Sequence, residues 1–286
     1  MFAVLHIPDF ALHAVLRTET GTSTRPAALF SGTTKKSVSV SLNSAARAAG
    51  VELGMTSAQA VARCPDLLIR TANPEAETEA RAMLLATALL VSPHVEDTAP
   101  GLVTLDVHGL APAIRQRACA AAIARLAESG FSATAGVART PLLARYAAQA
   151  AHDTLDAHQP SAESEIHIVA PEAESAFLAP LPLAVAEPDP ELASVLHTWG
   201  LRTFGDLTAL SRADVGERLG PRGIALWDRA RGGEPRPLNL VTPPRKFVAC
   251  QEFEDSLETL EPLLFILRRF LDRLTLELEA AHRVAA

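Results

Sequence analysis

The sequence is poor in cysteine and in aromatic residues, with three cysteines, two tryptophans and one tyrosine. Cys64, Cys119 and Cys250 are far apart and form no Cys-x-x-Cys pair. This pattern argues against both a disulfide framework and a zinc site. It is typical of proteins from a reducing compartment, so we expect a cytoplasmic protein.

Long apolar runs are also missing. A membrane-spanning helix needs about 18 uninterrupted apolar residues, whereas the best run, 82–91, is short and contains Thr87. The N-terminus has no basic segment and reaches Pro8 and Asp9 almost at once. It is therefore predicted to be a strand of the mature fold and not a signal peptide. We expect a soluble protein.

Positive charge is absent from one long stretch. No lysine or arginine lies between Tyr146 and Leu201, where nine acidic residues occur. The whole chain carries a net charge of −7, and the chain without this stretch carries +2. The negative net charge of the whole chain disfavours a polyanionic partner. The rest of the chain is weakly basic, so a nucleic acid remains a possible partner.

The length and composition indicate a folded protein of more than one domain. Hydrophobic residues make up 48% and charged residues 21%, which excludes a disordered chain. The 286 residues exceed the ~100–200 usual for one domain. We therefore expect at least two packed units.

The first 160 residues alternate strands and helices. The run from Phe2 to Ile7 predicts a buried strand, and Pro100-Gly101 predicts the turn of a hairpin. The order strand, helix, hairpin, helix, strand is that of a ferredoxin-like sheet, with 27–71 inserted after the first strand and helix. Helix starts are predicted from capping residues at Asn43 or Ser44, Thr56, Asn73-Pro74 and Thr140.

The rest of the chain is predicted to be mainly helical. The acidic, proline-rich region 158–190 is interpreted as linker and loop with one short strand, 165–169. Beyond it we predict four short helices, at 191–199, 203–210, 211–219 and 222–231. A strand at 247–253 and a long amphipathic helix at 257–280 follow. The last helix carries a wide apolar stripe, which predicts a partner protein or a chain that is a fragment.

Several local strings, taken in their order and spacing, resemble the Y-family translesion DNA polymerases. They are VLHIPDFALHAVL, SAARAAGVELGM, LDVHGL, TAGVARTPLLARYAA, WGLRTFGDLTAL and RARGGEPRPL. The resemblance implies an α+β fold with four parts: a ferredoxin-like palm (1–26 and 72–160), inserted fingers (27–71), a linker with an all-helical helix-hairpin-helix thumb (161–240), and a truncated little finger (241–286).

Polymerase chemistry needs two Mg²⁺ ions roughly 3.5–4 Å apart, held by converging carboxylates. The family supplies these carboxylates from the end of the first strand and from the hairpin. The matching positions here are Pro8, Phe10, Gly101 and Leu102, none of which can bind a metal through its side chain. This pattern predicts no catalytic residues, no metal site and no cofactor. We therefore expect a polymerase-like protein that is not an enzyme.

Neighbouring carboxylates offer an alternative. Asp9 should point in a different direction from the lost ligand, and Asp106 lies about 13 Å along its strand from Leu102 at ~3.3 Å per residue. Glu96 and Asp97 remain on the other strand of the hairpin. The alternative is thus an active, Mg²⁺-dependent lesion-bypass polymerase whose metal site is rebuilt from Glu96, Asp97 and Asp9.

Within the family, the missing carboxylates and the opening VLHIPDFAL resemble the ImuB-type members. The resemblance implies a scaffold in bacterial damage-induced (SOS) mutagenesis that binds damaged or primer-template DNA weakly at the nucleoid. It also implies three protein partners: an error-prone C-family polymerase, the sliding clamp and a RecA-like protein. A third possibility is a protein-interaction module that binds no DNA.

The resemblance also implies ligand-binding residues. Arg47 and Arg145 match family cations that reach the incoming triphosphate, and the alternative is that both are solvated arginines on helix faces. Gly200, Arg202 and Thr203 match the helix-hairpin-helix turn of the thumb, where backbone N–H groups can meet a DNA phosphate. Arg218 and Arg222 add positive charge nearby. Glu187 and Asp189 stand where the family has a glycine-rich, basic hairpin.

His6, His94 and His108 lie near the positions of the lost carboxylates but have no recognisable metal-ligand spacing. We therefore expect them to be core or solvent-facing histidines.

Overall fold

The computed structural model describes residues 1–17, 19, 25–31, 37–157, 165–242, 247, 249–251 and 260–280. The chain divides into two compact units, each built from segments that are distant in sequence. Unit 1 comprises Met1–Pro8, Asp106–Ile123 and Ser132–Leu238. Unit 2 comprises Asp9–Leu105, Ala124–Phe131 and Asn239–Ala286.

The described strands and helices have the following bounds. The strands are β1 (Phe2–His6), β2 (Ala27–Phe30), β3 (Ser39–Leu42), β4 (Leu68–Thr71), β5 (Val95–Ala99), β6 (Leu102–Asp106), β7 (Thr134–Ala138) and β8 (Ile166–Ile168). The helices are α1 (Phe10–Leu16), α2 (Ser44–Ala48), α3 (Ser57–Arg63), α4 (Pro74–Val91), α5 (Pro112–Glu128), α6 (Pro141–Ala157), α7 (Glu174–Leu178), α8 (Pro190–Thr198), α9 (Phe204–Thr208), α10 (Arg212–Ala230) and α11 (Leu260–Ala280).

The sheet of unit 1 is built on the apolar run at the N-terminus. β1 pairs antiparallel with β7, with Val4 opposite Gly136, and β7 pairs in parallel with β8. α6 packs against both β1 and β7, and Thr134 Oγ1 donates to Ala148 O at 2.7 Å. The predicted run is buried because β1 is a paired strand that is also covered by a helix.

Three helices of unit 1 begin at side-chain caps. Asp189 accepts a hydrogen bond from Leu192 N, and Ser211 accepts one from Asp214 N. Thr203 and Asp206 form a reciprocal capping box at the start of α9. The two helices predicted at 211–219 and 222–231 both lie within α10, and they are separated at Gly220, whose φ of 65° and ψ of −160° are non-helical and which Pro221 follows.

Unit 2 contains a small three-stranded sheet. β2 is the central strand, antiparallel to β3 and parallel to β4. Asn43 caps α2, and Thr56 forms a capping box with Gln59 at α3, as the sequence predicts. The core beneath the sheet includes the buried Phe30 and Leu42.

Unit 2 also contains the hairpin and two long helices, α4 and α11. Asn73 caps α4, with Pro74 in the first turn. β5 pairs antiparallel with β6 through a turn at Gly101, whose φ of 74° suits glycine. α11 contacts α4, and Arg269 Nη2 pairs with Glu79 Oε1 at 2.6 Å.

Part of α11 is apolar and exposed. Its exposed apolar side chains are Leu260, Leu263, Leu264, Phe265, Leu267 and Leu271. The predicted apolar stripe is therefore present, and the other described residues cover only part of it. None of the described helices is both long and apolar enough to span a bilayer.

Two regions differ from the sequence prediction. The segment interpreted as linker and loop contains its predicted short strand as β8, but it also contains α7 and two short 3-10 turns, Pro171–Ala173 and Leu183–Ala186. The unpredicted elements have three to five residues, too few for a helical period to stand out. The predicted strand 247–253 lies partly outside the described residues, and its described members have no regular structure.

Candidate functional site

The four positions that the resemblance assigns to metal-binding carboxylates lack them. Pro8 follows β1, and Gly101 forms the hairpin turn. Phe10 begins α1 and Leu102 begins β6, and both side chains are buried. Nothing at these positions offers an oxygen ligand from a side chain.

The three acidic residues considered as substitutes each have another partner. Asp9 accepts two hydrogen bonds from the Arg47 guanidinium, one of them 3.1 Å long from Nη1 to Oδ2. Asp97 pairs with Arg81. Glu96 is buried and accepts from Asn239 N at 2.6 Å. The three carboxylates of the alternative, rebuilt metal site therefore each bond to a different residue of the chain.

A magnesium site is not assembled in the described part of the chain. Within it, no three histidine, cysteine or acidic side chains group together in a way that could hold a metal ion. A hard divalent cation needs several converging oxygen ligands. The described residues do not fit that requirement.

Asp106 is engaged by a histidine. Burial on its own would raise the pKa of Asp106, but hydrogen bonds from the backbone N–H and ring of His108 lower it overall. The His108 ring places Nδ1 2.5 Å from Asp106 Oδ1 and Nε2 2.5 Å from the amino group of Met1. His108 thus links the N-terminus to the end of β6.

Both arginines predicted to bind phosphate are paired with carboxylates. Arg47 lies on α2 with its side chain half exposed, against Asp9. Arg145 lies on α6, is mostly buried and pairs with Glu187. Arg145 Nε is also buried and meets no hydrogen-bond acceptor among the described residues. The structure thus gives each arginine an internal anion, an arrangement that sequence reasoning did not anticipate.

Tyr146, the only tyrosine, lies next to Arg145 in the interior of unit 1. Its ring packs edge-on against Phe204 with centroids 5.4 Å apart. Burial raises the pKa of Tyr146 to about 12, although the nearby Arg145 and Arg229 act in the opposite direction. The hydroxyl is buried and has no hydrogen-bond partner among the described residues.

We expect Tyr146→Phe to leave the free energy of unfolding unchanged or to raise it by up to about 1 kcal/mol. The substitution keeps the ring contact and removes a buried hydroxyl that makes no hydrogen bond in the described chain. Urea denaturation of the two proteins measures the difference. A loss of stability well above about 1 kcal/mol would mean that the hydroxyl has a partner in the folded protein.

His6, at the end of β1, titrates abnormally. Burial, together with smaller effects of the nearby His152 and Arg145, lowers the pKa of His6 to about 4. Its Nδ1 atom is buried and makes no hydrogen bond to the described residues. The ring is therefore neutral at neutral pH, as expected for a core histidine.

We expect the free energy of unfolding to fall by about 2 kcal/mol between pH 7 and pH 5 on account of His6. The unfolded chain protonates this ring below its ordinary pKa of 6.5, whereas the folded chain does so only near pH 4. Stability is therefore present above pH 6.5 and is lost as the pH falls towards 4. His6→Gln should show a correspondingly shallower decrease in urea denaturation at the two pH values. Equal decreases in the two proteins would contradict the assignment to His6.

The predicted turn of the thumb is present, but its donors are already used. Gly200 has a φ of 80° and follows α8. The backbone N–H groups of Arg202 and Thr203 both donate to Asp206 Oδ2, at 2.9 and 2.8 Å. These bonds lower the pKa of Asp206. The N–H groups expected to meet a phosphate are thus satisfied by an internal carboxylate.

The remaining predicted DNA contacts lie on α10. Arg222 pairs with Asp189 at 3.5 Å and with Glu191 at 3.3 Å. Arg218 is exposed and forms no ion pair with the described residues. Of the predicted phosphate-binding cations, Arg218 therefore differs from Arg47, Arg145 and Arg222, which all have acidic partners.

Comparison with known protein families gives a match to the impB/mucB/samB family over residues 5–149. This segment is half of the chain and contains both Arg47 and Arg145.

Among curated proteins, a DNA polymerase IV of Shewanella loihica is 27% identical over 222 residues, covering 75% of this chain and 58% of the relative. A DNA polymerase IV of Ralstonia nicotianae is 28% identical over 270 residues, covering 90% of this chain and 71% of the relative. The chain thus spans less than two thirds of the Shewanella protein.

Among solved structures, an insertion ternary complex of Dbh DNA polymerase superposes with a TM-score of 0.67 and 17% identity. The alignment covers 83% of this chain and 69% of that one. At this identity the likeness establishes the fold. The predicted α+β fold of the Y-family polymerases is confirmed.

The prediction that the chain is not an enzyme is contradicted by these comparisons. The similar curated proteins carry an enzyme name, DNA polymerase IV, and the similar fold is that of a DNA polymerase. The prediction relied on four side chains. The lack of carboxylates at Pro8, Phe10, Gly101 and Leu102 excludes metal ligands at those four positions, but it does not establish that the protein is catalytically inactive. From its matched segment, the chain belongs to the impB/mucB/samB family.

Proposed function

We propose that this chain is part of a translesion DNA polymerase that adds deoxynucleotides to a primer along a DNA template. The observation that carries the proposal is the family match over residues 5–149, together with the polymerase fold. The curated relatives named DNA polymerase IV support the same activity. We propose that the chain acts on chromosomal DNA in the bacterial cytoplasm.

The proposed parts of the chain follow the family arrangement. The palm would comprise 1–26 and 72–160, the fingers 27–71, the linker and thumb 161–240, and the partial little finger 241–286. Arg47 and Arg145 would bind the triphosphate, since an arginine offers a planar set of donors that matches phosphate.

DNA binding would use the second half of unit 1. Gly200, Arg202 and Thr203 form the helix-hairpin-helix turn, and Arg218 and Arg222 lie on the exposed side of α10. The backbone N–H groups of Arg202 and Thr203 already donate to Asp206, and the Arg222 side chain already pairs with two carboxylates. A DNA phosphate would therefore compete with Asp206 at the turn and with Asp189 and Glu191 at Arg222. The expected affinity is therefore low and strongly dependent on salt.

Magnesium would supply the activation of the 3′-oxygen and the stabilisation of the leaving phosphate in such a reaction. The described residues do not provide its ligands. What this chain's own residues contribute to the proposal is the binding and orientation of the nucleotide and the DNA.

Primer extension tests the proposed function. The chain is incubated with a labelled primer-template and all four deoxynucleotides in the presence of Mg²⁺ or Mn²⁺. We expect template-dependent extension above that of a protein-free control. An absence of extension, when fluorescence anisotropy shows that the same DNA is bound, would contradict the proposal.

Protein partners form a second proposal, supported by the resemblance of the opening VLHIPDFAL to ImuB-type members. We propose that the chain brings an error-prone C-family polymerase to the sliding clamp with a RecA-like protein, in damage-induced mutagenesis. Co-elution of the purified chain with each partner in size-exclusion chromatography tests this. Separate elution of all three would contradict it.

A further inference from the structure

Three hydrogen-bond donors in unit 1 are buried and have no acceptor. They are Arg145 Nε, the Tyr146 hydroxyl and Arg229 Nε, and none of them meets an acceptor among the described residues. An unpaired buried polar group costs about 1–3 kcal/mol, and native proteins rarely leave one without a partner. Several such donors at one place in the fold therefore call for a bound species that accepts hydrogen bonds.

The start of α6 and the end of α10 meet at these donors. Thr140 Oγ1, just before α6, donates a hydrogen bond to the carbonyl oxygen of Gly232, just after α10. A Cβ atom built at Gly232 would lie 3.5 Å from Leu143 Cβ. Tyr146 lies three residues beyond Leu143, and Arg229 lies three residues before Gly232. The donors of the two helices thus belong to one junction within unit 1.

The interior around Tyr146 has an excess of positive charge. The Tyr146 side chain is 1% exposed, and its ring packs against Phe204 of α9. The charges of Arg145, Arg229 and Glu187 all act on its hydroxyl. Glu187 pairs with Arg145, whereas Arg229 is partly buried and forms no ion pair with the described residues. The Arg229 guanidinium is therefore a positive charge without a counterion in this part of the chain.

These donors suit an anion better than a water molecule. A guanidinium nitrogen only donates, and the Tyr146 hydroxyl keeps its proton at neutral pH because burial raises its pKa to about 12. A water molecule has to donate as well as accept, and it carries no charge. An anion accepts from every donor and also balances the charge of Arg229, an interaction that is strong in a poorly hydrated interior.

We propose that Arg145 Nε, the Tyr146 hydroxyl and Arg229 Nε bind one small inorganic anion, chloride, in the interior of unit 1. The donor atoms are buried, so the site suits an ion close to a water molecule in size. Arg145 keeps its contact with Glu187 through a different nitrogen, Nη2. The ion joins α6 to α10 and stabilises unit 1 whether or not the chain extends a primer, so this inference is independent of the proposed function.

Thermal unfolding in two sodium salts of equal ionic strength tests the site. Chloride can enter the interior, whereas gluconate is too large. The difference between the melting temperatures in chloride and in gluconate is the chloride-specific shift. Ions at the protein surface contribute to this shift as well, so the contribution of the site is obtained by comparing the parent chain with variants.

Two variants each remove one donor. Tyr146→Phe keeps the buried ring, and Arg229→Met keeps the length of the side chain. We expect the chloride-specific shift to be about 2–4 °C smaller in each variant than in the parent chain, the loss for an ion present at roughly ten times its Kd. In gluconate, Tyr146→Phe should melt at or above the parent. An undiminished shift in either variant would overturn the proposal.

Arg231→Met is the matched control. Arg231 is also at the end of α10, but it is exposed and lies over the Trp227 ring, 5.2 Å from its centroid. Removing its charge should leave the chloride-specific shift as in the parent chain. An equal loss in this control would reduce the effect to the general positive charge of the region and would overturn the proposal.

Bromide locates the ion directly, because it replaces chloride and scatters X-rays anomalously. Crystals grown in sodium bromide should show an anomalous peak between the Tyr146 hydroxyl and Arg229 Nε. A water molecule at this position, with bromide found only at the protein surface, would mean an adventitious ion only and would overturn the proposal. None of these measurements uses primer extension, so a failure of the anion site and a failure of the proposed function are distinguished.

Discussion

Replacing Gly136 with alanine is expected to destabilise the protein by about 3–5 kcal/mol, towards the upper end for a single substitution. Gly136 lies in β7 opposite Val4, beneath α6. A Cβ atom built there would lie 2.1 Å from Ala144 O and 2.3 Å from Ala148 N. These are backbone atoms of a helix and cannot move aside alone, so α6 would have to shift away from the sheet.

Urea denaturation of Gly136→Ala against the parent chain measures this effect. Gly109→Ala is the matched control, because a Cβ atom at Gly109 meets nothing within 4 Å and its φ is not positive. The control should stay within about 0.5 kcal/mol of the parent. A small change in Gly136→Ala would show that α6 packs less closely on β7 than these distances require.

Arg145→Ala is expected to weaken nucleotide binding by roughly 10- to 100-fold, the usual cost of losing hydrogen bonds to a charged group. Arg145 is mostly buried on α6, so its charge lies in a poorly hydrated site where a phosphate gains most from it. The stability should change little, because the partner left behind, Glu187, is mostly exposed. KM for the incoming deoxynucleotide in primer extension, and calorimetric titration with the same nucleotide, measure the loss.

Arg145→Lys separates charge from shape. Lysine keeps the positive charge, so this variant should recover most of the nucleotide affinity. Arg212→Ala removes an arginine that pairs with Asp228 in α10 and should leave the nucleotide affinity unchanged. Equal affinities in Arg145→Ala and the parent chain would remove Arg145 from the nucleotide site.

Local patterns predicted much of the secondary structure. Asn43, Thr56 and Asn73 cap helices as the sequence indicates, because a capping side chain acts on backbone groups two or three residues away. Gly220 ends the regular part of a helix for a similarly local reason. The strand predicted at 165–169 is present as β8, whereas α7 and the two 3-10 turns between 171 and 186 were missed because three to five residues carry too little periodicity.

The candidate site was less accessible to sequence reasoning. Strings that resemble a family located Arg47 and Arg145, but they contained no sign of the partners of these arginines. Glu187 was interpreted as a lost DNA contact, whereas the structure brings its carboxylate to Arg145. Tyr146 escaped notice because a lone tyrosine in an apolar helix looks like an ordinary packing residue.

Residue identities and their order are enough to establish the family, the caps and turns of most elements, and the lack of side-chain oxygen at Pro8, Phe10, Gly101 and Leu102. The pairing of each carboxylate with its arginine depends instead on the folded chain. Asp9 lies 38 residues from Arg47, and Glu187 lies 42 residues from Arg145. Such pairs form where the folded path of the chain brings distant side chains together, and no local pattern of residues encodes that path.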